Sequence, residues 1–194
     1  GRIYHKLQIE MTYNSNHIEG SKLTHDETRY IYETKTIGIE NNSKIFKIDD
    51  LIETINHFKC IDKVIDFANY PLSTSFIKEL HKILKTGTSD SNSIYNKPGE
   101  YKKLDNQVGD IETTPVNLVS VKMDKLIKEY NNKSIHDFDD ILDFHVKFER
   151  IHPFQDGNGR VGRLIAFKEC LKNNIVPFLI TDDLKLFYYR GLSK

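Results

Sequence analysis

The sequence has no tryptophan, only two cysteines among 194 residues, and no net charge, since 28 Lys and Arg face 28 Asp and Glu. Each shortage excludes something. Cys60 and Cys170 sit singly inside apolar helical patterns, outside any C-x-x-C or other metal spacing, so two buried thiols are expected rather than a disulfide framework. Balanced charge removes the basic footprint of a nucleic-acid binder, and any bound anion must be met locally. No apolar run reaches membrane-spanning length, and the opening GRIYHKLQIE lacks the pattern of a signal peptide. A soluble, cytoplasmic protein with no nucleic-acid or membrane partner is the expectation. There is also no G-x-x-x-x-G-K-[ST], and no strand precedes the glycine-rich stretch, which excludes a Walker loop and a dinucleotide fingerprint.

What the chain does have is helical periodicity. Leu51, Ile55, Phe58, Ile61 and Ile65 form one apolar stripe, and Phe76, Leu80, Ile83 and Leu84 another; further helices fit 118–130 and 138–151. Thr24 with Glu27 reads as a capping box, Asp49 and Asp50 as the opening of a third helix, and Ser73 as the opening of a fourth. The closing ITDDLKLFYYRGLSK reads as a helix capped by Thr181 or Asp182. Between Gly87 and Asn117 the periodicity stops, and a loop of that length implies use, with a hairpin inside it. The length fits one domain over 1–194, all-α apart from that hairpin.

The densest chemistry lies in HPFQDGNGR from His152. A helix ending near Ile151, a turn from Pro153 to Asn158, and a helix from about Gly159 would aim the second helix's free N–H groups into the turn, where they bind phosphate. Gly157 and Gly159 allow close backbone approach, and Asn158 offers an amide or a left-handed turn conformation. Arg160 and Arg163, three apart, would share a face and clamp separate phosphates. Asp156 suits a Mg²⁺ arriving with a triphosphate. A neutral His152 could take the proton of an attacking hydroxyl. His145, further back on the same helix, reads as a packed core histidine.

HPFQDGNGRVGR, from His152 to Arg163, resembles the Fic family signature H-P-F-x-[DE]-G-N-G-R-x-x-R without departure. The resemblance implies an all-α, Fic-type helical bundle with a small β-hairpin flap, and transfer of AMP from ATP to a Ser, Thr or Tyr hydroxyl of a protein, the enzyme itself included. It implies His152 as general base, Asp156 as the Mg²⁺ ligand, Gly157, Asn158, Gly159 and Arg160 as the phosphate nest, and Arg163 as the γ-phosphate contact. Upstream, SNHIEG from Ser15 to Gly20 is similar to the family's inhibitory pattern [ST]-x-x-x-E-[GN]. Glu19 would then pair with Arg163 on an N-terminal helix over 1–22, Ser15 would hold Glu19, and ATP would bind askew. The flap falls within 87–117; its 106–117 part would dock a target protein by strand addition, with Val108, Gly109 and Asp110 on the nucleotide edge. Tyr188 and Tyr189 of YYRGL would line the adenine side. The helix, catalytic loop and helix span 137–172. Removal of AMP from a protein by a hydrolase using Glu19, and a non-catalytic nucleotide-sensing module, are the alternatives; homo-oligomerisation stays open.

Overall fold

The computed structural model describes residues 2–37, 45–108 and 111–192, apart from the side chains of Arg2, Ile111, Asp182, Phe187 and Leu192. Its helices are α1 (Arg2–Ile18), α2 (His25–Thr34), α3 (Ile48–Asp66), α4 (Thr74–Lys85), α5 (Val116–Asn131), α6 (Phe138–Ile151), α7 (Asn158–Lys172) and α8 (Lys185–Leu192). One antiparallel pair, β1 (Gln107–Val108) and β2 (Ile111–Glu112), sets Gln107 opposite Glu112 and Val108 opposite Ile111. The fold is all-α, with this small hairpin among the described residues. No helix among the described residues is long and apolar enough to cross a membrane.

Helix α7 is the axis. Every residue from Arg160 to Cys170 is buried, against α1, α3, α4 and α6. A helix enclosed on all sides needs no polar face, which is why this stretch shows no amphipathic stripe. Val161, Leu164, Ile165 and Phe167 join Phe148, Phe154, Leu80, Leu84 and Met123 in the main core. Cys60 and Cys170 are both buried and free.

Local signals place the helix ends. Thr24 and Glu27 form the expected capping box, and Ser73 accepts from the Phe76 N–H at 3.1 Å. Helix α3 opens at its two aspartates as expected: it starts at Ile48, with Asp49 and Asp50 in its first turn, where their charge suits the helix dipole. Its buried face differs from the expected stripe. Ile55 is 43 % exposed, while Thr54, Asn56, His57 and Cys60 are buried, because α3 packs on α1 and α2 as well as on α4 and α7. A two-sided helix buries polar residues that a one-stripe reading leaves outside. The last helix begins with a short 3₁₀ turn, Asp182–Leu184, whose Leu184 N–H bonds to the Thr181 carbonyl at 3.0 Å.

The long segment before α5 is laid over the turn between α6 and α7. The Gly99 N–H donates to His81 Nδ1 (2.9 Å), the Lys102 N–H to the Pro153 carbonyl (2.8 Å), and Asn106 Nδ2 to the Phe154 carbonyl (3.3 Å). Val108 is 39 % exposed on the hairpin; Gly109 and Asp110 lie outside the described residues.

Candidate active site

The turn 152–158 is built from two unusual backbone positions. His152 caps α6 in the left-handed region (φ 51°, ψ 61°), its N–H bonded to the Phe148 carbonyl at 3.0 Å. A non-glycine residue there costs about 1–2 kcal/mol, so the surroundings must enforce it. Gly157 takes φ 81° just before α7. A β-carbon on Gly157 would meet only ordinary contacts at 3.5–3.6 Å, so glycine is required there for its dihedral and not for space.

Three residues hold the turn shut. Phe154 is fully buried and stacks on His81 with centroids 3.9 Å apart. Asn158 accepts from the Phe154 N–H and donates to the Phe154 carbonyl, both at 2.8 Å, so its amide clamps the turn and leaves only its backbone N–H for an anion. His81 accepts from Gly99 N–H at Nδ1, which leaves Nε2 protonated to donate to the Asp156 carbonyl at 3.1 Å. Burial brings its pKa down to about 4, so the ring stays in this one neutral tautomer.

His152 has the same discipline. Its Nδ1 lies 3.3 Å from the Glu149 carbonyl, which can only accept; Nδ1 therefore carries the proton and Nε2 is the free base. Burial lowers its pKa; the Glu149 carbonyl opposes this, Lys102 adds to it, and Glu19 and Asp156 pull back.

Asp156 belongs to a ring of four charges. Lys85 Nζ reaches Glu53 Oε1 and Asp156 Oδ2, each at 2.6 Å, while Arg160 bonds to Glu53 and lies 3.3 Å from Asp156 Oδ2. Burial pushes the Asp156 carboxyl up, but Arg160 and Lys85 outweigh it and hold its pKa at about 2. Two cations and two anions cancel, as burial demands. The expectation that Arg160 and Arg163 share a face as a double clamp fails here: Arg160 is 4 % exposed and its guanidinium is committed to Glu53 and Asp156. That guanidinium lies against Asp156, whose own side chain is 47 % exposed.

Arg163 points the other way, to the end of α1. Its Nε donates to Ser15 Oγ (2.9 Å), and its Nη2 donates to the Ser15 carbonyl (3.0 Å) and to Glu19 Oε1 (2.6 Å). Ser15 thus holds Arg163, where the sequence suggested that it holds Glu19. Glu19 stands just beyond α1, in a turn closed by Gly20 at φ 96°, whose N–H bonds to the His17 carbonyl at 3.0 Å. The same Glu19 oxygen lies against Gly159, where a methyl group would collide with it and come within 3.0 Å of Arg163 Nη1. An anion therefore already sits on the first turn of α7, where the free N–H groups are.

Aromatic groups close the far side. Tyr188 lies with its ring centroid 5.8 Å from the Arg163 guanidinium and its hydroxyl 2.8 Å from His145 Nε2; Tyr189 packs beside it at 5.4 Å. His145 is buried, with a pKa lowered to about 4 by burial, and so is Glu149, whose carboxyl is pushed up to about 8 by burial despite Arg163.

The structure brings His152, Asp156, Gly157–Arg163, Ser15, Glu19, Tyr188 and Tyr189 to one locus. Glu53, Lys85, His81, Lys102 and Glu149 join them unannounced; a lysine in the last turn of α4 reads from sequence as a solvated charge. Among the described residues no group of three or more His, Cys, Asp or Glu side chains forms a metal cage. One ionised, half-exposed carboxylate, Asp156, fits a Mg²⁺ that keeps most positions for water and phosphate oxygens.

Comparison with known proteins agrees with this geometry. The Fic/DOC family model matches residues 71–169, just over half of the chain. The chain is 27 % identical over 190 residues to the protein adenylyltransferase Fic of Drosophila melanogaster, covering 93 % of this chain and 36 % of that protein. It therefore spans about a third of that relative's length. A Fic-domain-containing signalling protein from Bacteroides thetaiotaomicron superposes with a TM-score of 0.86 at 26 % identity, over 99 % of this chain and 72 % of that one. A Fic-1 fragment from C. elegans superposes with a TM-score of 0.75 at 23 % identity, over 97 % and 55 %, which speaks for the fold alone. The turn, the helices that carry it and the family match converge: the chain belongs to the Fic/DOC family.

Proposed function

We propose that this chain is a single Fic-type unit that transfers AMP from ATP to a hydroxyl of a protein, its own chain included, and that Glu19 restrains the transfer. The observation that carries this reading is the Arg163 guanidinium at the start of α7, held by Ser15 and, at 2.6 Å, by Glu19 Oε1. A carboxylate and a terminal phosphate compete for one cation.

The chemistry follows from the positions already given. The triphosphate lies on the first turn of α7, with Gly157, Gly159 and the Asn158 N–H beneath it and its γ-phosphate on Arg163. Mg²⁺, held by Asp156, neutralises polyphosphate charge when it is bound. The acceptor hydroxyl gives its proton to His152 Nε2 while its oxygen bonds to the α-phosphorus; the bond to the bridging oxygen breaks and pyrophosphate leaves. Positioning and charge stabilisation supply most of the rate in such a step, so a triphosphate displaced by Glu19 is bound and unreactive. The target's backbone pairs with the hairpin, and Tyr188 and Tyr189 border the adenine.

The test uses ATP labelled at the α-phosphate, with Mg²⁺. Label should enter protein in Glu19→Gly far more than in the parent chain, and not in Glu19→Gly/His152→Ala. A folded Glu19→Gly that takes no label, or label independent of His152, refutes transfer. If the parent instead releases AMP from a modified protein and Glu19→Gly does not, the hydrolytic reading replaces it.

A further inference from the structure

The root of the hairpin holds a buried cation. Lys102 is 3 % exposed, and its Nζ donates to Asn106 Oδ1 at 2.7 Å and to Thr113 Oγ1 at 2.6 Å, both neutral acceptors. Asn106 precedes β1 and Thr113 follows β2, so one ammonium ties both legs of the hairpin; the Thr113 hydroxyl closes the knot by donating to Asn106 (2.8 Å to its carbonyl). The same residues grip the catalytic turn: the Lys102 N–H bonds to the Pro153 carbonyl, Asn106 Nδ2 to the Phe154 carbonyl, and the Leu104 N–H to Gln155 Oε1 at 3.3 Å.

We infer that Lys102 is a positioning residue that couples the hairpin to the turn carrying His152, so that a target strand paired to the hairpin is registered against the base that takes its proton. The inference rests on the transfer reading above. Geometry alone would be served by a neutral donor, since both acceptors are neutral. Burying an ammonium on neutral acceptors is costly, Asp105 offsets part of that cost at longer range, and the charge has an electrostatic use. Lys102 faces His152 and disfavours its protonation, against Glu19 from the turn after α1 and Asp156 from its own turn, which favour it. Lys102 thus adds to the burial that keeps the base neutral, while it fixes the register of the acceptor. Signals for it in the sequence are slight: one of two adjacent lysines in a loop.

The test compares Lys102→Gln, which keeps a donor without the charge, and Lys102→Arg, which keeps the charge, both in the Glu19→Gly background. Lys102→Gln should lower the rate of label transfer roughly tenfold with the KM for ATP within about twofold, because its amide is shorter than the lysine and ties the two legs less well, and the base loses a cation that disfavours its protonation, while the phosphates are untouched. The acid limb of its pH–rate profile should move up, and Lys102→Arg should restore both. NMR titration of the His152 ring gives an arm independent of activity: its pKa should rise in Lys102→Gln and return in Lys102→Arg. An unchanged rate and limb with an unchanged imidazole titration overturns the inference, as does an equal loss in both variants. Should the Glu19→Gly parent transfer nothing, the transfer reading has failed, and the imidazole titration together with hydrogen exchange of residues 104–108 decides the coupling alone.

Discussion

Removing Glu19 should change how the chain tells a triphosphate from a diphosphate. In the structure Arg163 is 7 % exposed and spends one of its three bonds on Glu19. A hydrogen bond to a charged group is worth about 1.5–3 kcal/mol, so a γ-phosphate that must displace Glu19 forfeits roughly that much. At about 1.4 kcal/mol per decade, Glu19→Gly should tighten a non-hydrolysable ATP analogue by roughly 10- to 150-fold. ADP has no γ-phosphate to place on Arg163, and its affinity should move little. The free variant should also be less stable, because a buried guanidinium has lost its counter-charge; the cost stays below the ~3–5 kcal/mol of a fully buried pair, since Ser15 remains on Arg163 and the Glu19 side chain is 27 % exposed. Isothermal titration in Mg²⁺ measures both affinities, and a denaturant series measures the stability. Equal gains for the two nucleotides would refute the competition, because they would place the benefit elsewhere than on Arg163. No gain in a folded variant would remove Glu19 from the mechanism.

Other consequences are independent of activity. Asn158→Ala leaves the buried Phe154 N–H without its acceptor and the Phe154 carbonyl with Asn106 alone, and at about 1–3 kcal/mol for one orphaned group it should destabilise the fold by roughly that much in urea; a loss under about 0.5 kcal/mol would show that the turn holds without the clamp. Gly162→Ala would drive a methyl into Glu149 and within 3.0 Å of His145, so a thermal midpoint equal to the parent's would contradict the packing of α6 on α7. The pH dependence has two signs. His81 and His145, both lowered from 6.5 to about 4 by burial, contribute stability that is present above 6.5 and lost as pH falls toward 4. Glu149, raised from 4.5 to about 8, acts oppositely: its contribution is present below 4.5 and lost as pH rises through 8. Urea midpoints should therefore peak near neutrality and fall on both sides, with the alkaline fall flattened in Glu149→Gln; a plateau from pH 5 to 8 in the parent would overturn these environments.

The turn itself was legible because it is local. His152, Asp156, Gly157 and Arg163 lie within twelve consecutive residues, and the caps at Thr24 and Ser73 need only their own first turns. What escaped needed the third dimension. Arg160 meets Glu53, 107 positions away, and Lys85 meets Asp156, 71 away. No spacing rule links such residues, so the pairing of Arg160, read as a phosphate clamp, with two carboxylates could not be seen in the sequence. Ser15 was misassigned for the same reason, since its partner Arg163 is 148 residues distant. Helix α3 misled because a stripe presumes one buried face, and α3 has two.

The most direct measurement is a structure of the Glu19→Gly chain with a non-hydrolysable ATP analogue and Mg²⁺. The expected result is a γ-phosphate on Arg163 where Glu19 had been, with the α-phosphorus in front of His152 Nε2. A nucleotide bound away from the first turn of α7, or one that leaves Arg163 without a phosphate and His152 facing elsewhere, would contradict the account.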